Sequence, residues 1–356
     1  VSVFEINNGA LPRIDFTENT DGHLLLEPQS TNLIPYSEDF EQSNWINSNI
    51  SEEVSTVLSP NGETYSYKLT NNAVTGNHFL RDTITVTNGQ TYTLSVFIKK
   101  GTKDIVSIAD GYNINVLANF DLTNGTRTNV YATSSNIESY NNGWYKCSAT
   151  LTTSSTYLGL MIFSGTTYAG TDESGYFYVW GAQVEALPYA TSYIPTNGST
   201  VTRDAETCTG AGEAADFNSE EGVLYAEIAA LANDGTWREI NLDDGSTNNA
   251  VEIRYKTTAN QFQFVVRNGG TAVVAPTVTI SNPTEFMKVA FSYKTDDCKM
   301  YINGVEVATD TSGTMPSGLN HLSFDWGGTN PFHGKCKAIR VYKEALSDSE
   351  LVTLTS

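Results

Sequence analysis

Apolar and polar residues alternate with period two along most of this chain, which is the signature of strands with one buried face. The clearest case is 92–99, where Tyr92, Leu94, Val96 and Ile98 share one face and Thr93, Ser95, Phe97 and Lys99 the other. Similar runs are predicted at 65–69, 82–86, 116–120, 144–151, 157–163 and 176–185. After a connector they resume at 222–229, 238–242, 250–255, 261–267, 277–280, 287–293, 298–302 and 337–342. Turn signals separate them: Asn88-Gly89 is read as a hairpin after 82–86, and Asn124-Gly125 closes 116–120. Asn303-Gly304 is read as a tight hairpin between 300–302 and 305–307. Near the start, Leu11 to Phe16 is read as an edge strand because of Pro12, and Leu24 to Glu27 as a second apolar piece ending at Pro28. One short helix is expected at 346–351, capped by Ser347 with Glu350 three residues on. Many short strands and almost no helical periodicity predict an all-β chain of two tandem antiparallel β-sandwiches.

Composition narrows this picture. The chain has 356 residues, 39% hydrophobic and 17% charged, enough for two domains and too apolar for a disordered chain. The boundary is placed near 205, giving domains 1–205, with 1–30 as an entry segment, and 206–356. The halves share no period, so a solenoid is excluded. With 20 Lys and Arg against 40 Asp and Glu, the net charge is −20. Such a surface repels phosphate backbones and anionic lipid, so neither nucleic acid nor membrane insertion is expected. It also repels anionic polysaccharide unless a cation bridges, and leaves neutral or cation-bridged glycan open; the charge also serves plain solubility. No apolar run of 18 residues predicts a membrane helix. The first residue is Val, with no signal peptide behind it, so a processed product or a fragment of a larger parent is expected. Cys147, Cys208, Cys298 and Cys336 fit no zinc module. Buried free thiols are the favoured reading, with a Cys298–Cys336 pair open.

Several runs resemble modules of bacteriophage structural proteins, especially tail fibres and tailspikes. One group is Leu24-Leu25-Leu26-Glu27-Pro28-Gln29-Ser30-Thr31-Asn32-Leu33 with Tyr36-Ser37-Glu38-Asp39-Phe40 and Asn44-Trp45. Its companion is Trp180-Gly181-Ala182-Gln183-Val184-Glu185 with Tyr189-Ala190-Thr191-Ser192-Tyr193-Ile194-Pro195-Thr196. The resemblance covers about residues 10–205 and implies a jelly roll similar to carbohydrate-binding modules. The second half resembles laminin-G or concanavalin-A-like sandwiches, on Gly222-Val223-Leu224-Tyr225-Ala226-Glu227, Met300-Tyr301-Ile302-Asn303-Gly304 and Ile339-Arg340-Val341-Tyr342-Lys343-Glu344-Ala345-Leu346-Ser347. Together these imply an extracellular virion protein with bacterial surface polysaccharide and other virion proteins as partners. Fibre proteins of this kind are often homotrimers, although no coiled-coil heptads occur here.

Candidate chemistry is sparse. Glu239-Ile240-Asn241-Leu242-Asp243-Asp244 is reminiscent of the acidic motif of laminarinase-like hydrolases, which place carboxylates at alternate strand positions. Here the middle position is Asn241 and the last acid falls in a turn, so the carboxylate pair that hydrolysis needs is missing. No nucleophile elbow, metalloprotease motif or phosphate loop is found, and a non-enzyme is expected. Sugar binding needs aromatic faces with nearby amides. The candidates are Trp237, the loop from Trp326 through Asn330 to Phe332, and Trp144 with Tyr145; Trp180 is read as core. Calcium is a candidate cofactor at Glu38, Asp39 and Glu41, and at Asp243 and Asp244 beside Asp234, against plain solvated acidic loops. The function expected is non-catalytic attachment to bacterial surface glycan. A structural decoration role and a polysaccharide-degrading enzyme are the alternatives.

Overall fold

A computed structural model describes residues 12–16, 21–170 and 174–356. The chain forms two compact units, each built from two antiparallel sheets packed face to face around its own core, as the strand pattern predicts.

The first unit comprises Gln29–Asp204. One sheet orders its strands Thr126–Asn129, Asn115–Asp121, Ile105–Asp110, Tyr157–Ser164, Phe79–Thr85 and Ile46–Ser48. The other runs Ser134–Ser139, Trp144–Thr152, Thr91–Lys100, Gly175–Glu185, Tyr65–Asn71 and Ile50–Leu58. Leu94, Val96 and Ile98 from the second sheet meet Ile108, Leu160 and Ile162 from the first, all fully buried. Alternation thus commits one face of each strand to this core. Asn88-Gly89 is not a hairpin: Phe79–Thr85 pairs with Tyr157–Ser164, while Thr91–Lys100 pairs with Trp144–Thr152 and Gly175–Glu185. The turn carries the chain from one sheet to the other, which a two-residue signal cannot distinguish from a hairpin.

The paired end motifs of the first unit do meet. Ser30–Asn32 pairs with Val201–Arg203. The Asn32 side chain donates to the carbonyls of Ala182 and Ile194, and Ser37 Oγ lies 2.6 Å from the Tyr193 hydroxyl. Leu24 to Glu27 does not share this destination.

The second unit contains Ala205–Ser356 together with the N-terminal segment that ends at Pro28. Arg13–Asp15 and His23–Leu26 are the outer strands of a seven-stranded sheet, followed by Gly334–Tyr342, Glu221–Ala230, Met287–Lys294, Cys298–Ile302 and Val305–Asp310. The predicted edge strand is therefore present, without Leu11, which lies outside the described residues. It edges the second sandwich, not the first, and the expected entry segment of domain 1–205 is corrected accordingly. The physical reason is that Gly334–Tyr342 would otherwise offer an open edge, and Leu24–Leu26 covers it in register with Gly334–Cys336. Leu26 is buried in the second core, and Arg13 is clamped between Glu27 and Glu206.

The opposing sheet orders Thr271–Val274, Gln261–Asn268, Ala250–Tyr255, Arg238–Asp243 and His321–Ser323, with Thr277–Thr279 also paired to Gln261–Asn268. The helix runs Asp348–Thr355, with Ser347 and Glu350 forming the expected capping box. All four cysteines are free, and Cys147, Cys298 and Cys336 are buried. Among the described residues no helix is long and apolar enough to cross a membrane.

The N-terminal pairing makes a prediction. Leu26→Ala removes a buried side chain at a cost of about 2–5 kcal/mol. Calorimetry should show the melting transition of the second unit lowered and that of the first unchanged. A shift of the first unit's transition instead would refute the assignment of this segment.

Candidate functional site

The outer face of the Arg238–Asp243 sheet carries a row of buried polar side chains. Ile240 and Leu242 point to the core, so alternation turns Glu239, Asn241 and Asp243 outward. Register sets Glu239 opposite Arg254 and Asn241 opposite Glu252, with Ser323 and His321 opposite Asn241 and Asp243 on the other side. This face is polar yet buried: Glu239 and Glu252 are 0% exposed and Asn241 1%.

Buried carboxylates require compensation. Arg254 Nη1 lies 3.1 Å from both Glu239 and Glu252, and Arg267 Nε donates to Glu252 at 2.6 Å. Two tryptophans roof the cations. Trp237 stacks on the Arg254 guanidinium at 4.6 Å and Trp326 on that of Arg267 at 4.9 Å. Burial, aided by repulsion from Glu252, pushes the Glu239 carboxyl up to about 7 despite Arg254. Burial likewise raises Glu252, against the pull of Arg267 and Arg254.

Beside this network a cleft of 420 Å³ opens. Its chemistry comes from Asn241, Asp243, His321, Ser323, Asp325 and Trp326. Trp326 is held by a tight turn in which Gly327 (φ 56°) and Gly328 (φ 79°) both take left-handed backbone, with Trp326 and Thr329 exchanging backbone hydrogen bonds. That pair of glycines was visible in the sequence and is the signal that fixes the loop. Gly327 also meets Thr247 of the 244–249 loop, where a Cβ would lie 2.7 Å from the threonine methyl. Three buried polar atoms on the cleft's side chains have no hydrogen-bond partner: Asn241 Oδ1, Trp326 Nε1 and His321 Nδ1, the last standing 3.7 Å from the Asp243 carboxylate. Asp243 accepts from the Gly245 amide at 2.7 Å. Burial, with a contribution from Asp243, raises the Asp325 carboxyl.

The sequence candidates are dispersed by this geometry. Trp326 lines the cleft. Trp237 does not, because it covers Arg254. Asn330 donates to Glu239 at 3.2 Å. Phe332 is 1% exposed and belongs to the second core, stacked edge-on against Phe324. Trp144 is fully buried beside Trp180 and Phe97 and donates its indole to the Leu58 carbonyl, so it is no sugar platform. Tyr145 packs against the first core. For Trp144 and Tyr145 the cause is shared: a turn next to an aromatic residue suggests exposure, but strand alternation turns Trp144 under a covering segment and Tyr145 toward the core. Trp180 is core, as read from the sequence.

The acidic clusters do not gather as ligand sets. Glu38 accepts from Tyr193, while Asp39 accepts from Gln42, Tyr67 and the Glu41 amide. Asp244 is engaged by Ser246 and Asn249, which pull its carboxyl down against the effect of burial, and Asp234 by Arg238. Among the described residues no three His, Cys, Asp or Glu side chains are grouped to hold a metal ion. The residues that sequence reasoning missed are Asn241 and Asp325 with His321 and Ser323, which only strand pairing brings together.

The raised Glu239 carboxyl gives a pH prediction. An unfolded glutamate ionises near 4.5 and this one near 7, so the folded unit holds the extra proton between those values. That contribution to stability is complete below pH 4.5 and lost as pH rises through 7. The second unit's melting temperature should fall over this window, and Glu239→Gln should flatten the slope. An identical slope in the variant would disprove it.

Residues 226–352 match the family model described as the concanavalin A-like lectin/glucanases superfamily. No curated protein matches the chain. Among solved structures, it is similar to the CBM40 module of the Ruminococcus gnavus IT-sialidase at 18% identity, covering 42% of this chain and 94% of that one, with a TM-score of 0.35. It is also similar to the SAP-like pentraxin of Limulus polyphemus at 11% identity, covering 42% and 74%, with a TM-score of 0.34. Mouse laminin alpha1 domains LG4-5 share 10% identity over 76% and 86%, with a TM-score of 0.28.

Proposed function

We propose that this chain is a non-catalytic glycan-binding protein and that the 420 Å³ cleft of the second unit takes a saccharide. The observation that carries this reading is the set of buried polar atoms without a hydrogen bond on Asn241, His321 and Trp326, which line one cleft. A sugar presents hydroxyls that both donate and accept, so it can satisfy an amide oxygen, an imidazole and an indole N–H together. The cleft has the size of an ordinary small-ligand site. Asp243 and Asp325 add acceptors for further hydroxyls and make a neutral sugar the favoured ligand over an acidic one.

The non-catalytic reading rests on spacing. Glu239 and Asp243 are four residues apart on one strand, roughly 13 Å at about 3.3 Å per residue. Retaining hydrolysis needs carboxylates about 5 Å apart and inverting hydrolysis about 6.5–9.5 Å. Glu239 is moreover engaged by Arg254 and Asn330. One observation favours the enzymatic alternative: Asp325 and Asp243 line the same cleft, and Asp325 is held in a raised state. The phage-type end motifs support a virion, extracellular setting with bacterial surface polysaccharide and other virion proteins as partners.

The test is a glycan array with the intact protein, followed by Asn241→Ala and Trp326→Ala. Each substitution should weaken binding about tenfold or more, the loss of roughly one to two hydrogen bonds or one stacking contact. Binding that is unaffected by both, or absent from the array, refutes the cleft. Release of reducing ends that Asp325→Asn abolishes would establish the enzyme instead.

A further inference from the structure

Alternation that buries Phe177 and Val179 in the first core turns Tyr176 and Tyr178 to the outer face of their sheet, both half-buried. Their rings meet edge to face at 5.6 Å. Strand register then sets a row across this face. Tyr178 lies opposite Lys68 on one side and Lys99 on the other, and Lys68 lies opposite Glu53. Directly opposed residues on one face sit about 5 Å apart at Cβ, so the two lysines rise on either side of Tyr178, with Lys68 Nζ turned to Glu53 and Lys99 Nζ to the Asn142 carbonyl. Lys68 Nζ also stands 5.0 Å from the Tyr176 ring centre. The Tyr176 ring in turn covers Gly101, where a Cβ would lie 2.5 Å from ring carbon Cδ2, so any side chain there would displace it.

Two of the first unit's lysines stand in this row. The unit's five lysines are Lys68, Lys99, Lys100, Lys103 and Lys146. Lys146 is buried and bonded to the Thr191 carbonyl, and Lys100 turns to Asp104 and Thr123. Lys68 and Lys99 remain at the tyrosines. Lys99 donates to the Asn142 carbonyl, which leaves its charge uncompensated by that contact. Lys68 pairs with Glu53 at 2.8 Å, but the Glu53 side chain is 63% exposed. An ion pair so exposed contributes about 0–1 kcal/mol, and an incoming carboxylate can replace it.

We propose that this face of the first unit is a binding site for an acidic saccharide, with a sugar carboxylate between Lys68 and Lys99 and the pyranose against Tyr178 and Tyr176. The net charge of the chain predicts repulsion of anionic glycan; this row reverses the sign locally. The site is separate from the cleft in the second unit and does not depend on it.

The experiment titrates the intact protein with a short oligogalacturonate and with a neutral oligosaccharide of equal length. The acidic ligand should bind, with affinity falling as salt rises, and the neutral one should not compete at this site. Lys68→Ala with Lys99→Ala should weaken acidic binding at least about tenfold, and Tyr178→Ala likewise, with the first unit's melting transition retained. Glu53→Gln should strengthen it. Trp326→Ala should leave it unchanged, which separates this site from the cleft. Wild-type failure to bind the oligogalacturonate, undiminished binding by the double lysine variant, or equally tight binding of poly-aspartate would overturn the proposal.

Discussion

One guanidinium organises the chemistry of the second unit. Arg254 stands between Glu239 and Glu252, each wholly buried, and without it two carboxylates would share a dry sheet face with only Arg267 to compensate them. Removing one partner from such a pair costs about 3–5 kcal/mol, because a buried charge is left behind. The arrangement explains the roofing tryptophans. Trp237 and Trp326 exclude water from the two cations and are held in place by them. Trp326 reaches the cleft because Arg267 fixes it from within the network. The cleft-lining tryptophan and the ionic scaffold are therefore mechanically one structure, and a substitution at Arg267 should be felt in the cleft.

The two units solve the same problem by different means. A sheet in a sandwich has one face for the core and one for everything else. In the first unit the outer face of the Gly175–Glu185 sheet is filled by an aromatic cluster of Phe97, Trp144, Trp180 and Tyr193, which leaves Tyr176 and Tyr178 at its margin. In the second unit the outer face of the Arg238–Asp243 sheet is filled by ion pairs. Aromatic filling gives flat apolar surface edged by lysines. Ionic filling gives a cleft edged by carboxylates and amides. The difference predicts a neutral ligand at one sheet and an acidic one at the other.

The architecture was largely legible from period two alone, because a residue such as Leu94 or Ile240 has one place to go once its strand is set. The capping box at Ser347 and the Asn303-Gly304 turn, where both residues take positive φ, were legible because their chemistry is local. Non-local pairing was not. Nothing in Leu24-Leu25-Leu26 says that it will edge the second sandwich while Ser30 to Asn32, four residues on, joins the first. The same limit hid the site: Asn241 is far in sequence from His321 and Asp325 and meets them only through strand register. Alternation did signal Tyr176 and Tyr178 as one face, but the lysines beside them come from two other strands.

Net charge is the property that misleads most here. A value of −20 describes the far field, which salt screens beyond about 8–10 Å. Recognition at a sheet face acts within that distance, where the neighbours across the ladder set the sign. Lys68 and Lys99 flank Tyr178 whatever the rest of the chain carries, and Asp243 and Asp325 line the other cleft. Long-range repulsion then slows the approach of an acidic polymer without forbidding its capture, since the far field acts mainly on association rate and the local contacts on dissociation. At a dense polymer surface, where local ligand concentration is high, slow association would be a minor cost and a charge-matched contact would be what holds.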